Sequence, residues 1–377
     1  MSLIQKLAFR NLFHDRLRLI ATVIGIVFSI VLVTVQMGLY LGFGRMVTTM
    51  IDRADADLWI MPQGTKCFED PALLDVRKRF RALSIEGVAQ VNPVVIGFAD
   101  WRTPAGTTTP VFVVGSDVKN GGLHPWNVIE GQVESLSIPD AVAADQSYFD
   151  RLGVEGLGST AEIRQQKVRI AVVTSGIRSF TTTPYVFTTT ERARQYAGLP
   201  SAKATYFLVR VAPNADIEQT RRRLAANIDE VEVLTTAEFR ERSRSFWLFD
   251  TGAGMALFAG ALLGIIVGTV IVAQTLYSST KDHLDEFATL RAIGSSGSYI
   301  YQVIIWQAMI SAIIGFCLAA IAGFAITALT AGSALPILMT PLLLAGLFAL
   351  TVAMCVASAI AAIVKVMRVD PAMVFSR

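Results

Sequence analysis

The chain has few charged residues, and most of them fall in one stretch. Only 17% of its 377 residues are charged, whereas a soluble domain averages about 25%. Residues 44–253 hold 24 of the 33 Lys and Arg and 25 of the 30 Asp and Glu, so the other 167 residues share 14 charges. The net charge of +3 is too small to indicate nucleic-acid binding. The composition predicts a membrane protein with a water-soluble middle part.

Cysteine and histidine are also scarce, with three of each. Cys317 and Cys355 lie in apolar runs and Cys67 is alone in the charged stretch, which excludes a disulfide framework there. The histidines lie far apart and give no metal-ligand spacing, so no metal site is expected. The N-terminus has a long basic part, an apolar run too long for a signal peptide and no small-residue cleavage site.

Motifs for catalysis or for energy supply are missing as well. The chain has no P-loop pattern G-x-x-x-x-G-K-[ST] and no nucleophile elbow. Its long apolar runs contain no Asp, Glu, Lys or Arg, the residues that proton or ion coupling uses inside a membrane. We therefore expect a non-enzymatic chain without a cofactor of its own, and any transport would draw its energy from a partner.

Three uncharged runs account for the apolar part of the chain. They cover residues 19–44, 251–280 and 292–364, and a bilayer core needs about 20 residues of helix. The third run is long enough for two spans, with a Gly- and Pro-containing turn at residues 330–341. The sequence predicts four spans, at 19–43, 254–277, 301–329 and 341–364.

Basic residues near the span ends predict the orientation. The N-terminal tail (1–18) and the C-terminal tail (365–377) are rich in Lys and Arg, whereas the turn at 330–341 has none. Both termini are therefore expected in the cytoplasm, in a multi-pass protein of the cytoplasmic (inner) membrane. Residues 44–253 then lie outside and residues 278–298 inside, and Phe246 and Trp247 mark the outer end of the second span.

Residues 44–253 are expected to form a large α+β extracytoplasmic domain, interrupted by a mostly β insertion at about 120–200. Alternating apolar residues predict strands, and a capping box at Thr235 and Glu238 predicts a helix that continues unbroken into the second span. The expected pieces are strands at 56–62, 88–102 and 107–117, a helix over 71–83, and a strand–helix–strand unit over 204–235.

Small residues recur every four positions in the second span and once in the first. This spacing places them on one stripe of a helix and favours close packing against another helix. The partner of this face is either the first span or a second copy of the chain. The residues are Ala256, Gly260, Gly264 and Gly268, with Gly38 and Gly42 in the first span.

The segment between the second and third spans, "LDEFATLRAIGSS" (284–296), is the one charged interruption of an apolar region. Ser279 and Asp282 can start a helix, Arg291 lies at its far end, and Gly294 can stop it. One face is apolar. The segment is either a solvated helix on the lipid headgroups or a docking surface for a partner.

Three motifs resemble the FtsX/MacB-type ABC transporter permeases. They are "STKDHLDEFATLRAIGSSGSYI" (279–300), the N-terminal "LAFRNLFHDRLRLIATVIGIVFSI" (7–30) and the C-terminal "VMRVDPAMVF" (366–375). The arrangement of one span, a large outer domain and three further spans is also that of the family. "DLWIMPQGT" (57–65) is most similar to the DevC-type exporter permeases.

The resemblance implies a permease that works with a separate ATPase, since no nucleotide-binding domain precedes the first span. The expected partners are an ABC ATPase dimer that binds ATP and Mg²⁺, a second permease copy, a periplasmic membrane-fusion adaptor and the lipid bilayer, with no nucleic acid. The inner segment would be the coupling helix. Its contacts to the ATPase would be Lys281, Leu284, Glu286, Phe287, Leu290, Arg291 and Gly294.

Three functions fit these observations. The first is an ABC export permease for a lipid, glycolipid or amphipathic compound, whose outer domain transmits ATP-driven motion. The second is an FtsX-like signal transducer that does not transport, and instead controls a cell-wall hydrolase or senses a peptide. The third is a membrane-anchored binding module without a motor.

Overall fold

The computed structural model describes residues 3–70, 72–282, 297–330, 332 and 335–367. The chain divides into two compact units, each formed around its own core. The membrane unit comprises Met1–Gly42 and Ala253–Arg377, and the outer unit comprises Phe43–Gly252.

Helices dominate the membrane unit and are short in the outer unit. In chain order they are α1 (Leu3–His14), α2 (Arg16–Met46), α3 (Thr49–Arg53), α4 (Lys78–Leu83), α5 (Phe149–Leu152), α6 (Thr190–Ala197), α7 (Ile217–Asn227), α8 (Thr236–Ser245), α9 (Ala253–Asp282), α10 (Gly297–Thr330) and α11 (Pro341–Met367).

Four of these helices are long and apolar enough to cross a bilayer, which confirms the predicted number of spans. Their apolar segments are Arg16–Met46 in α2, Ala253–Ser278 in α9, Tyr301–Thr330 in α10 and Pro341–Val364 in α11. Short side chains bring these helices together. Ser29 of α2 donates a hydrogen bond to the carbonyl of Gly264 at 2.7 Å, and Ser358 of α11 donates one to the carbonyl of Thr269 at 3.0 Å.

The glycine stripe of α9 lies against α2 of the same chain. A Cβ at Gly260 would stand 2.7 Å from the amide nitrogen of Gln36, and one at Gly264 would stand 3.2 Å from side-chain carbons of Leu32 and Val33. A Cβ at Gly268 would overlap the side chain of Ser29. The absence of side chains at these three positions therefore allows α2 to approach closely.

Three residues of the predicted packing face lie elsewhere. Ala256 is exposed, because each four-residue step turns about 40° past a full helical turn and carries the stripe away from α2. Gly38 and Gly42 face the turn before α11 rather than a helix. The backbone N–H of Leu338 donates to the carbonyl of Gly38 at 3.1 Å, and a Cβ at Gly42 would overlap the carbonyl of Pro336.

The outer unit is built on one ten-stranded sheet. Its strands, together with the small pair β2 and β10, are β1 (Leu58–Pro62), β2 (Leu74–Asp75), β3 (Val88–Arg102), β4 (Thr108–Ser116), β5 (Val128–Gly131), β6 (Ala141–Asp145), β7 (Thr160–Ile163), β8 (Gln166–Thr174), β9 (Tyr185–Thr189), β10 (Lys203–Ala204), β11 (Tyr206–Val211) and β12 (Val231–Thr235).

The sheet order is β12-β1-β11-β3-β4-β9-β6-β8-β5, with β7 paired to β3 and β8. The inserted strands β5 to β9 lie within the stretch expected to interrupt the domain. Alternate residues of β1 enter two different cores, since Leu58 and Ile60 join one cluster and Trp59 and Met61 join the other. Successive side chains of a strand point to opposite faces, so β1 is covered on both sides.

Most of the predicted outer elements are present. The strands at 56–62, 88–102 and 107–117 correspond to β1, β3 and β4, and the unit over 204–235 is formed by β11, α7 and β12. Both hydrogen bonds of the capping box between Thr235 and Glu238 are present at the start of α8.

Two predictions about the outer unit were wrong. The helix over 71–83 is limited to α4, because Leu74–Asp75 pairs with Lys203–Ala204 and the Asp75 carboxylate accepts a hydrogen bond from the Arg77 N–H at 2.9 Å. The helix entering the second span is interrupted. After α8 the chain makes a π-helical turn at Phe246–Asp250, and Gly252 adopts a φ of +75°, a left-handed conformation that glycine tolerates and that ends the helix.

We expect Gly268→Ile to destabilise the membrane unit by roughly 1–3 kcal/mol, because the new side chain would overfill the contact with Ser29. The measurement is thermal unfolding of the full-length chain in detergent. Gly346→Ile is the matched control, since Gly346 lies within α11 and a Cβ there would meet no atom within 4 Å. Equal unfolding midpoints for the two variants would show that the stripe does not pack against α2.

Candidate functional site

The predicted coupling segment is only partly described. Lys281 is exposed in the last turn of α9, which runs on to Asp282. The predicted helix start at Ser279 is therefore wrong, since the spanning helix itself continues through this position. The other predicted contacts lie outside the described residues. They are Leu284, Glu286, Phe287, Leu290, Arg291 and Gly294.

A second candidate site is an open cleft of about 510 Å³ in the outer unit. Aromatic side chains form much of its wall, and two carboxyl groups, those of Glu69 and Asp70, line it. We call it the Glu69 cleft. It is lined by Lys66, Cys67, Glu69, Asp70, Phe98, Phe112, Ser179, Thr181, Thr183, Tyr185, Phe246 and Trp247.

The turn that carries Glu69 is held by a buried tyrosine. The hydroxyl of Tyr206, on β11, lies 3.1 Å from the carbonyl of Cys67, 2.9 Å from that of Phe68 and 3.2 Å from that of Asp70. Tyr206 and Phe68 are fully buried. The sheet therefore fixes the turn, and the turn fixes the backbone of Glu69.

Two hydrogen bonds orient the Glu69 carboxyl group. The hydroxyl of Tyr185, the first residue of β9, donates to Oε1 at 3.2 Å. The indole Nε1 of Trp247, in the π-helical turn, donates to Oε2 at 3.1 Å. Among the ion pairs formed by the described residues, none includes Glu69. The carboxyl group is thus held by neutral donors.

Burial controls the protonation of this site. It raises the pKa of Glu69 from 4.5 to about 7, and the hydrogen bonds to the carboxylate only partly oppose this effect. The residue as a whole is partly exposed, whereas its carboxyl group is enclosed by side chains. Two neighbouring groups also have raised pKa values, mainly because they are buried and secondly because of the nearby Glu69 charge. The pKa of the Cys67 thiol is raised to about 12 and that of the Tyr185 hydroxyl well above 10. Near neutral pH Glu69 changes charge while the thiol and the phenol stay protonated.

An aromatic contact chain connects the cleft to both ends of the outer unit. The Trp247 ring lies 4.5 Å from the Phe180 ring, which lies 5.3 Å from the Phe43 ring, measured between centroids. Phe43 is the first residue of the outer unit, and Trp247 lies six residues before α9. The aromatic contacts of the Glu69 cleft therefore extend to the C-terminal end of α2 and to the turn before α9.

The sequence pattern did not reveal this cleft. Glu69 is separated by 116 residues from Tyr185 and by 178 residues from Trp247, so no local spacing links the three. Phe246 and Trp247 were expected to mark the end of a span. The available signal was weak: a glutamate directly after the apolar pair Cys67 and Phe68.

We expect Glu69→Gln to remove a pH-dependent loss of stability. The folded state binds the Glu69 proton more tightly than the unfolded chain, so this group favours folding fully below about pH 4.5. Its contribution is lost as pH rises towards about 7. Wild type should therefore lose up to roughly 3 kcal/mol relative to the Gln variant across this window.

Thermal unfolding of both full-length chains between pH 4.5 and 8 measures this difference. The comparison between the two chains cancels the titration of all groups that they share. A stability difference that stays constant across the window would contradict the raised pKa of Glu69.

Two family models cover most of the chain. The MacB-like periplasmic core domain matches residues 19–227, and the FtsX-like permease C-terminal domain matches residues 258–371. ABC transporter permeases from two strains of Mycobacterium tuberculosis, both described as uncharacterized, are 26% identical over 382 residues, which is 98% of this chain and 98% of each relative.

Two solved structures show a low similarity to this chain. The periplasmic region of MacB from Actinobacillus actinomycetemcomitans is 8% identical, with 52% of this chain and 96% of that chain covered and a TM-score of 0.39. The extracellular domain of the ABC-type transporter YknZ from Gram-positive bacteria is 13% identical, with 48% and 99% covered and a TM-score of 0.35. With TM-scores below 0.5, neither likeness adds to the assignment.

The family models match most of the chain in the order expected from its motifs and spans, and the chain belongs to the FtsX/MacB-type ABC transporter permeases.

Proposed function

We propose that this chain is the permease subunit of an ABC export system that is driven by a separate ATPase and acts on a lipid, glycolipid or amphipathic compound. The observation that carries the proposal is the pair of family matches, one to the first span and most of the outer domain and one to the last three spans. The chain itself takes no part in ATP hydrolysis, and ATP and Mg²⁺ are bound by the partner ATPase dimer.

The uncharged spans support transmission of motion rather than passage through a polar tunnel. The apolar runs carry no Asp, Glu, Lys or Arg that could line a path for a polar solute. The close contact of α9 with α2 at Gly264 and Gly268 couples the first two spans, which lie on either side of the outer domain in the chain. Movement of these two spans would be passed to residues 43–252, which act as a lever on a substrate already outside the membrane.

The proposed complex contains two permease copies and an ATPase dimer. Two permease copies pair in the inner membrane with both termini in the cytoplasm, and each docks one ATPase subunit through residues 281–294. The outer domain meets a periplasmic membrane-fusion adaptor. Glu286 and Arg291 make the polar contacts to the ATPase, and Leu284, Phe287 and Leu290 make the apolar ones.

We expect Glu286→Lys to abolish permease-stimulated ATP hydrolysis and export, because it reverses the charge at the proposed docking surface. The measurement is ATPase activity of the co-reconstituted complex in lipid vesicles, together with the amount of ATPase that co-purifies with the permease. Membrane insertion should be unchanged, since residue 286 lies outside the four spans.

Asp285→Lys is the matched control. It makes the same charge reversal one residue away, at a position that is not among the proposed ATPase contacts. Normal stimulation in the Glu286 variant, or equal loss in both variants, would contradict the proposed contact. Normal stimulation of ATP hydrolysis by wild type without movement of any amphipathic substrate would favour the signal-transducer function instead.

A further inference from the structure

We propose that the Glu69 cleft is a binding site for an organic cation with an apolar body, in which Glu69 supplies the counter-charge. The proposal concerns ligand binding by the outer domain alone. It stands independently of the export function, because it needs neither the ATPase nor the adaptor.

The walls of the cleft are suited to an apolar, positively charged ligand. Phe98 is 55% exposed, although its ring lies only 4.8 Å from the buried Phe112 ring in a T-shaped contact. Tyr185 and Trp247 add two further rings beside the carboxyl group. Aromatic faces attract ammonium groups within about 6 Å of the ring centroid, and they also bury the apolar part of a ligand.

The charges of the cleft favour a cation over an anion. A carboxylate offers about four acceptor positions, and the two neutral donors fill two of those on Glu69. The Lys66 ammonium lies 5.9 Å from the Phe246 ring, and the backbone N–H of Lys66 donates to the Asp70 carboxylate at 3.2 Å. When Glu69 is ionised, the cleft has two carboxylates against the one ammonium group of Lys66, so its balance of charge favours a cation. A cation paired with Glu69 would relieve the cost of ionising this carboxyl group.

Cation binding should be linked to the protonation of Glu69. The titratable or charged groups around this carboxyl group come from its own turn and from two strands, β9 and β11. They are Lys66, Cys67, Asp70, Tyr185 and Tyr206. Burial holds the pKa of the Cys67 thiol and of both tyrosine hydroxyls far above neutral. Glu69 changes charge near pH 7, so a cation bound below this pH displaces its proton.

The test uses benzyltrimethylammonium, a permanent aryl cation whose own charge does not change with pH. Its binding to the full-length chain in nanodiscs is measured by equilibrium dialysis at pH 6 and pH 8, with empty nanodiscs as background. Since the pKa of Glu69 is about 7, the ionised fraction rises from about one tenth to about nine tenths, and we expect about a tenfold gain in affinity.

Three variants and one second probe make the test specific. At pH 8 the Glu69→Gln variant should bind the cation no more tightly than wild type does at pH 6, and its affinity should not depend on pH. Asp70→Asn is the matched control and should keep the pH dependence. Tyr185→Phe removes one hydrogen bond to the carboxylate, so it should move the midpoint of the pH dependence upward. Benzylsulfonate, an anion of similar size, should not bind.

Several outcomes of these measurements would contradict the proposed cation site. Absence of saturable binding by the aryl cation at pH 8, equal affinity for the sulfonate, or the same affinity at pH 6 and pH 8 in wild type would each overturn the proposal. A Glu69→Gln variant that unfolds leaves the decision to Tyr185→Phe, and an unchanged midpoint there would overturn it.

Discussion

The structure depends above all on the high free-energy cost of placing charges or unpaired polar groups in hydrocarbon. This cost explains why the 167 residues outside the middle of the chain contain only 14 charged residues, whereas residues 44–253 contain 49. It also explains where the polar side chains of the spans point. The hydroxyls of Thr34 and Thr351 donate to backbone carbonyls one turn earlier at 2.6 Å, so each is satisfied inside its own helix.

The same constraint determines how the spans pack. Lipid tails are as apolar as leucine, so burial alone does not drive helices together, and close backbone contact must contribute instead. Gly264 and Gly268 permit that contact, and the hydroxyl of Ser29 crosses it to reach a carbonyl of α9. The lever mechanism proposed above requires helices that move together, and this packing is suited to that role.

Water relaxes the constraint in the outer domain, where many charged side chains form ion pairs at exposed or partly exposed positions. Such pairs contribute little to stability. Glu69 differs from them, because its carboxyl group is enclosed and bound by two neutral donors. A group placed at such a cost is a reasonable candidate for function. Its contact with Trp247, and through Phe180 with Phe43, links it to the segments next to the first two spans.

Local patterns predicted elements wherever one physical rule dominated. The period of two in residues 88–102 and 107–117 predicted the hairpin of β3 and β4, and the capping box at Thr235 predicted the start of α8. They failed where a distant segment competed. Residues 74 and 75 form a strand because residues 203 and 204 pair with them, and the helix before the second span ends at a turn that includes the left-handed Gly252.

The sequence by itself determined the four spans, the position of the outer domain and the family, because hydrophobic length and short motifs are local properties. It also indicated the glycine stripe, but only the tertiary structure placed that stripe against α2 of the same chain. The Glu69 cleft was decided by tertiary structure alone. Its carboxyl group and its two donors come from segments more than 60 residues apart, and only the folding of the sheet brings them together.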